Sequence, residues 1–157
     1  MTDDALVPAP LQRLSLPKLA PEFYRHMISL DRAAVTGLGD PVIADLVKLR
    51  ASQLNHCAFC LDMHATDARA NGEQEHRLHT LAAWRETPYF TARERAALAL
   101  TESVTLVADT HVPDEVYGEA AKHFSEAELA HLIALIVAIN AWNRIGVTSR
   151  LSPAPKR

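Results

Sequence analysis

Cysteine is scarce in this chain: only Cys57 and Cys60 occur in 157 residues. A disulfide-stapled secreted framework is thereby excluded, and a chain of this length buries a core without staples. Glycine is also low, at 5 residues, and aromatic residues make up 6%, which weighs against an all-β fold. There is no basic excess: 16 Lys and Arg against 19 Asp and Glu leave a net charge of -3, so no nucleic-acid partner is expected. The most apolar stretch, Leu132 to Ile139, is far shorter than the roughly 18 residues of a membrane-spanning run. The first residues, Met-Thr-Asp-Asp-Ala-Leu, lack the basic start and apolar run of a secretory signal. The expectation is a cytoplasmic protein that binds neither membrane nor nucleic acid. In a reducing compartment a close cysteine pair is more often catalytic or metal-binding than structural.

What is present is globular: 48% hydrophobic and 22% charged residues, in one domain over residues 1–157. Residues 1–20 contain Pro8, Pro10 and Pro17 and read as an extended arm. Pro21 suits the first turn of a helix to about Thr36, which Gly37 and Gly39 break. Asp40-Pro41 restarts a helix with a cap and a first-turn proline. Its stripe runs Val42, Ile43, Leu46, Val47, Leu49, Leu54. After Asn55-His56, a helix from about Cys57 to Ala70 stops at Asn71-Gly72. A short helix from about Glu73 to Trp84 ends before Pro88. Thr91 with Glu94 forms a capping box for a helix to about Val107. Pro113 opens a helix to about Phe124. Ser125 with Glu128 makes a second capping box, ahead of the most apolar helix, Leu129 to about Val147. Apolar round most of its circumference, that helix is expected in the core or in a core shared with a second subunit. The tail from Ser152 is Pro-rich and loose. No strand pattern survives, so the fold class is all-α.

The chemistry concentrates in Cys57-Ala-Phe-Cys60-Leu-Asp-Met-His64. On a helix, spacings of three and four place both sulfurs and the imidazole on one face, one turn above the next. A helix N-terminus and a neighbouring imidazole each lower a cysteine pKa. Cys57 lies nearer the helix start and Cys60 nearer His64, so these influences favour different sulfurs and spacing does not choose between them. Thiols one turn apart can close a disulfide. A cycle follows: one thiolate attacks a peroxide O–O bond and becomes a sulfenic acid, and the other condenses with it. His64 is a candidate general base, oriented by a carboxylate such as Asp45, twelve residues before Cys57 on the preceding helix.

Several segments together resemble the alkylhydroperoxidase (AhpD-like) core family of the carboxymuconolactone decarboxylase-like superfamily. They are Leu46-Val-Lys-Leu-Arg-Ala-Ser-Gln-Leu-Asn55, Cys57 to His64, Asp67-Ala-Arg-Ala70, Trp84-Arg-Glu-Thr-Pro88, Glu94-Arg-Ala-Ala97 and Ile139-Asn-Ala-Trp-Asn-Arg144. The resemblance covers about residues 11–150. It implies an all-helical fold with the Cys-x-x-Cys at the start of a central helix, and a thiol-dependent peroxidase without cofactor or metal. It further implies Cys60 as the peroxide-attacking sulfur, Cys57 as the resolving one, and His64 with Asp45 as the proton relay. The partners it implies are a hydroperoxide, a thiol or lipoyl-type reductant, and further copies of the chain in a trimer or hexamer.

Two positions depart from the family pattern. The relay acid is usually Glu; Asp45 is shorter by a C–C bond of about 1.5 Å, so a bridging water is needed. The residue before the first cysteine is commonly Gly, and here it is His56, read as an exposed loop residue.

The cysteines alone could be small core residues, or two ligands of a zinc site with His64 and a fourth group. Asp45 could be a surface charge near Lys48 and Arg50. Glu75 and His79, four apart, read as a solvated face. Tyr24, Phe59, Trp84, Tyr89, Phe90 and Trp142 read as core or subunit contact, with Phe59 shaping an apolar approach for an organic peroxide. A general dithiol–disulfide oxidoreductase or redox sensor is the runner-up activity, and a metal-bound or structural oligomer the third.

Overall fold

In a computed structural model, residues 7–154 are described. Their regular structure is helical, with no strand among them. In order they form α1 (Leu16–Leu19), α2 (Pro21–Leu38), α3 (Pro41–Leu54), α4 (Ala58–Ala70), α5 (Glu75–Thr80), a 3-10 segment (Leu81–Glu86), α6 (Ala92–Thr105), α7 (Val107–Thr110), α8 (Asp114–His123) and α9 (Glu126–Ser149).

Local chemistry sets most of these boundaries. The Asp40 carboxylate accepts from the Ile43 N–H at 3.1 Å and starts α3. Both expected capping boxes form, Thr91 with Glu94 and Ser125 with Glu128, each satisfying two otherwise orphaned N–H groups. Gly39 ends α2 in the left-handed conformation, φ 68°, where the lack of a Cβ removes the steric cost.

Other boundaries differ from expectation. Gly37 does not break α2; it lies inside the helix, and a Cβ there would fall 2.2 Å from the His131 ring of α9. The glycine admits that ring, so the helix continues to Leu38. The expected 73–84 helix divides into α5 and the 3-10 segment, with Ala83 leaving helical geometry at φ -118° and ψ 31°. In the region read as an extended arm, residues 16–19 form a helical turn, and Arg13 N–H donates to Ser149 O at 2.9 Å. Residues 1–6 of that arm and 155–157 of the tail lie outside the described residues.

Helix α3 stands between two cores. On one side Ile43 and Val47 join Ala34 and Leu38 of α2, Leu100 of α6, and Leu132, Leu135 and Ile136 of α9. On the other, Leu46 and Leu49 meet Ala68 of α4, Leu81 and Trp84 of the 3-10 segment, and Leu98 of α6. Glu102 ties this second core to its surroundings, accepting from Arg50 Nε and Trp84 Nε1, each at 2.8 Å. Helix α9 has the length and composition of a membrane span, more than the Leu132–Ile139 run alone conveyed. Its packing against α2, α3 and α6 gives it the place of a core helix. Val137 and Val147 nevertheless face outward.

Candidate active site

The turn between α3 and α4 delivers the cysteines. Cys57 is the N-cap of α4, at the helix start where the sequence puts the Cys-x-x-Cys pair. Its sulfur accepts the Cys60 N–H at 3.4 Å. The two cysteines are joined in a disulfide, with Cα atoms 5.3 Å apart, inside the range that such a bond spans without backbone movement. Both are buried, at 2% and 3% exposure.

His56, just before this turn, is exposed and left-handed at φ 54°. A left-handed φ favours glycine, the residue that the resemblance leads one to expect at this position.

Beneath the turn lies an amide network that sequence reasoning missed. Asn55 Nδ2 donates to the side-chain oxygens of Asn140 and Asn143, each at 2.9 Å. Asn143 Nδ2 donates to Ser52 Oγ at 2.9 Å, and Asn140 Nδ2 to Thr105 Oγ1 at 3.0 Å. The Ser52 carbonyl accepts the Cys57 N–H at 3.1 Å. The end of α3 is thus fastened to α9. The only sequence signal was polar residues, Asn140 and Asn143, interrupting the most apolar helix at a spacing of three.

A cavity of about 320 Å³ opens on Cys60 and His64. Helix α2 supplies Tyr24, Ile28, Asp31 and Arg32, α4 adds Phe59 and Met63, and α9 adds Trp142 and Gly146. Tyr24 and Trp142 meet edge to face, ring centroids 5.1 Å apart. Phe59 lines the same cavity as Cys60. A second recess reaches the other sulfur, lined by Pro10, His56, Cys57, Ala58, Arg150 and Ser152.

His64 is buried at 6% exposure. Burial first, then the Lys48 charge, push its pKa down to about 4, against opposing pulls from Asp67 and Asp31. It is a neutral imidazole at pH 7 and is free to accept a proton. Its Nδ1 lies 3.9 Å from Asp67 Oδ2.

Asp45 is placed elsewhere. Its Oδ2 accepts from Asn71 Nδ2 at 2.8 Å, tying the end of α4 to α3. It lines a separate depression with Val42, Asn71 and Arg77. Burial raises its pKa, while the Asn71 hydrogen bond pulls the other way. The carboxylate that shares the cavity with His64 is Asp31, whose Oδ2 accepts from Lys48 Nζ at 2.9 Å. Among the described residues no cluster of three or more His, Cys, Asp or Glu side chains is arranged to hold a metal ion. The Glu75 carboxylate pairs with Arg69 and with His79 on an exposed face.

Fold and site together define an all-helical protein built around a buried Cys-x-x-Cys disulfide. The chain belongs to the carboxymuconolactone decarboxylase family, whose sequence pattern matches residues 21–103. It is 40% identical over 136 residues to the uncharacterized protein YdfG of Bacillus subtilis, spanning 87% of this chain and 92% of that one. It is 34% identical over 97 residues to the uncharacterized protein YnjA of Escherichia coli, a match spanning 62% of this chain and 53% of YnjA. A crystal structure from Agrobacterium tumefaciens superposes with a TM-score of 0.89 at 36% identity, covering 92% of this chain and all of the other. That protein is described as of unknown function and as a candidate antioxidant defence protein AhpD. The fold is therefore AhpD-like.

Proposed function

We propose that the protein is a thiol-dependent peroxidase that reduces hydroperoxides through a Cys57–Cys60 disulfide cycle. The observation that carries this reading is that the Cys60 sulfur and a neutral, buried His64 open onto one mainly apolar cavity, while Cys57 sits within bonding distance at the helix cap.

In the reduced protein, Cys60 gives its thiol proton to His64, and the thiolate attacks the terminal oxygen of the hydroperoxide. The O–O bond breaks. The departing alkoxide takes the proton from His64 and leaves as an alcohol, and Cys60 is left as a sulfenic acid. The Cys57 sulfur then attacks that of Cys60; hydroxide leaves with the Cys57 proton as water, and the disulfide forms. A dithiol reductant restores the pair: its thiolate attacks Cys57 from the second recess and expels Cys60 as a thiolate, and its second thiol releases Cys57. A thiol or lipoyl-type dithiol fits this step. The apolar cavity favours an organic hydroperoxide. We extend the proposal to a cytoplasmic homo-oligomer, a trimer or hexamer, assembled through outward apolar residues such as Phe23, Ile28 and Val137.

The test is mass measurement after stoichiometric peroxide. Wild-type protein is expected to lose two hydrogens, reversibly with a dithiol. Cys60→Ser is expected not to react, and Cys57→Ser to stop at a trapped sulfenic acid. Disulfide exchange without peroxide reaction would instead identify a general dithiol–disulfide oxidoreductase.

A further inference from the structure

We infer that Asp31, on α2, is the carboxylate that holds the His64 imidazolium during proton transfer, in the place that position-by-position resemblance gives to Asp45. The inference rests on the peroxidase reading above and deepens it.

Four observations converge on Asp31. It lines the cavity that contains Cys60 and His64, whereas Asp45 lines another. Its Oδ1 is buried and has no hydrogen-bond partner among the described residues. A buried carboxylate oxygen left without a donor is costly, and a site that keeps one has a use for it. Its other oxygen is held by Lys48 at 2.9 Å, so the carboxylate is oriented rather than free to turn into solvent. Its charge, after the larger influence of Asp67, favours the protonated His64 ring.

The groups surrounding this carboxylate are few. Helix α2 brings Tyr24 and Arg32 to the same cavity, α3 brings Lys48, and α4 brings His64 with Asp67 behind it. The α9 wall, Trp142 and Gly146, contains nothing that titrates. Lys48 disfavours a charged His64, and Asp31 opposes Lys48. While His64 is neutral, Lys48 occupies one oxygen of Asp31. When His64 takes the Cys60 proton, Asp31 compensates the new charge, and the proton passes on to the alkoxide with no net change at Asp31. Asp31 is thus a positioning residue acting through His64. Asp45, bound to Asn71, fastens helix ends together.

The experiment measures the rate of disulfide formation with an organic hydroperoxide across pH, together with NMR titration of His64 in the oxidised protein. Asp31→Asn is expected to slow the reaction roughly tenfold to a hundredfold, the lower end of what positioned proton-transfer groups contribute. It is also expected to lower the His64 titration midpoint by on the order of half a pH unit. Lys48→Gln removes the charge of the ion pair but keeps the acid and an amide N–H that can still orient it; it raises the midpoint and holds the rate within about threefold. Asp45→Asn leaves both readouts near wild type.

If Asp31→Asn fails to fold around an unpaired Lys48, the double variant Asp31→Asn with Lys48→Met removes both charges together. The relay role requires that variant to be slow; a purely structural ion pair requires it to be fast. Equal losses in Asp31→Asn and Lys48→Gln, an unmoved His64 midpoint, or a larger loss in Asp45→Asn would each overturn the inference. Wild-type protein that forms no disulfide with peroxide would sink the peroxidase reading itself, a separate result.

Discussion

Gly146 of α9 lies directly against Cys57: a Cβ at this glycine would fall 2.9 Å from the Cys57 sulfur and 3.5 Å from that of Cys60. The disulfide is thus packed against bare backbone. Gly146→Ala must displace a sulfur or the helix. We expect it to destabilise the oxidised protein by about 1–3 kcal/mol, the usual cost of overpacking, and to slow disulfide closure. Urea unfolding of oxidised and reduced protein checks the first expectation, and mass measurement after peroxide the second.

The titration of His64 sets a pH dependence of stability. The imidazole titrates near 6.5 in an unfolded chain and about 4 in the oxidised native protein. Between these values the unfolded state binds more protons, so stability rises with pH. The contribution is complete above about pH 6.5 and is lost as pH falls toward 4. At about 1.36 kcal/mol per pH unit it amounts to roughly 3 kcal/mol. Urea midpoints at pH 4.5 and 7 are expected to differ less in His64→Gln than in wild type; an equal difference would place the pH dependence elsewhere.

Removing one amide from the network under the cysteine turn is expected to cost far more than a surface change. Asn143 is fully buried, accepts from Asn55 and donates to Ser52. Asn143→Ala strands both partners, at about 1–3 kcal/mol for each buried polar group left unsatisfied. Thermal unfolding measures the loss. It should exceed that of Glu115→Ala, at an exposed position of α8.

His56 holds a left-handed conformation that costs a non-glycine residue about 1–2 kcal/mol. His56→Gly relieves it, less the extra freedom that glycine gains when unfolded, roughly 0.5–1 kcal/mol. A net gain of a few tenths to about 1 kcal/mol is expected in chemical denaturation. A loss would mean that the imidazole makes a favourable contact in the second recess.

The helical fold, the capping boxes and the start of α4 at the Cys-x-x-Cys pair were legible in the sequence because each depends on short-range spacing; that Cys60 and His64 share one cavity while Cys57 faces another was not. Two further kinds of feature were not. Gly37 looked like a helix breaker because its reason, the ring of His131 ninety-four residues later, is tertiary. Asp45 is the carboxylate that both the spacing and the resemblance offer for His64, while the cavity that contains His64 is lined by Asp31 from a different helix. Local composition does not tell which face of α2 turns toward α4; a lone Asp after Ser29-Leu30 reads as solvated. The partial burial of Lys48 was equally hidden, since its partner lies seventeen residues earlier.

The asparagine lattice has a further consequence for electron exchange. Because Asn55, Ser52 and the amide of Cys57 are all anchored, through Asn140 and Asn143, to the longest helix, the peptide carrying the first sulfur has little freedom to shift. Making and severing the sulfur–sulfur bond is then confined to side-chain rotation about Cα–Cβ. In the proposed cycle each turnover then needs little rearrangement of the surrounding protein, and reduction of the disulfide returns both thiols to the positions from which the next oxidant is met.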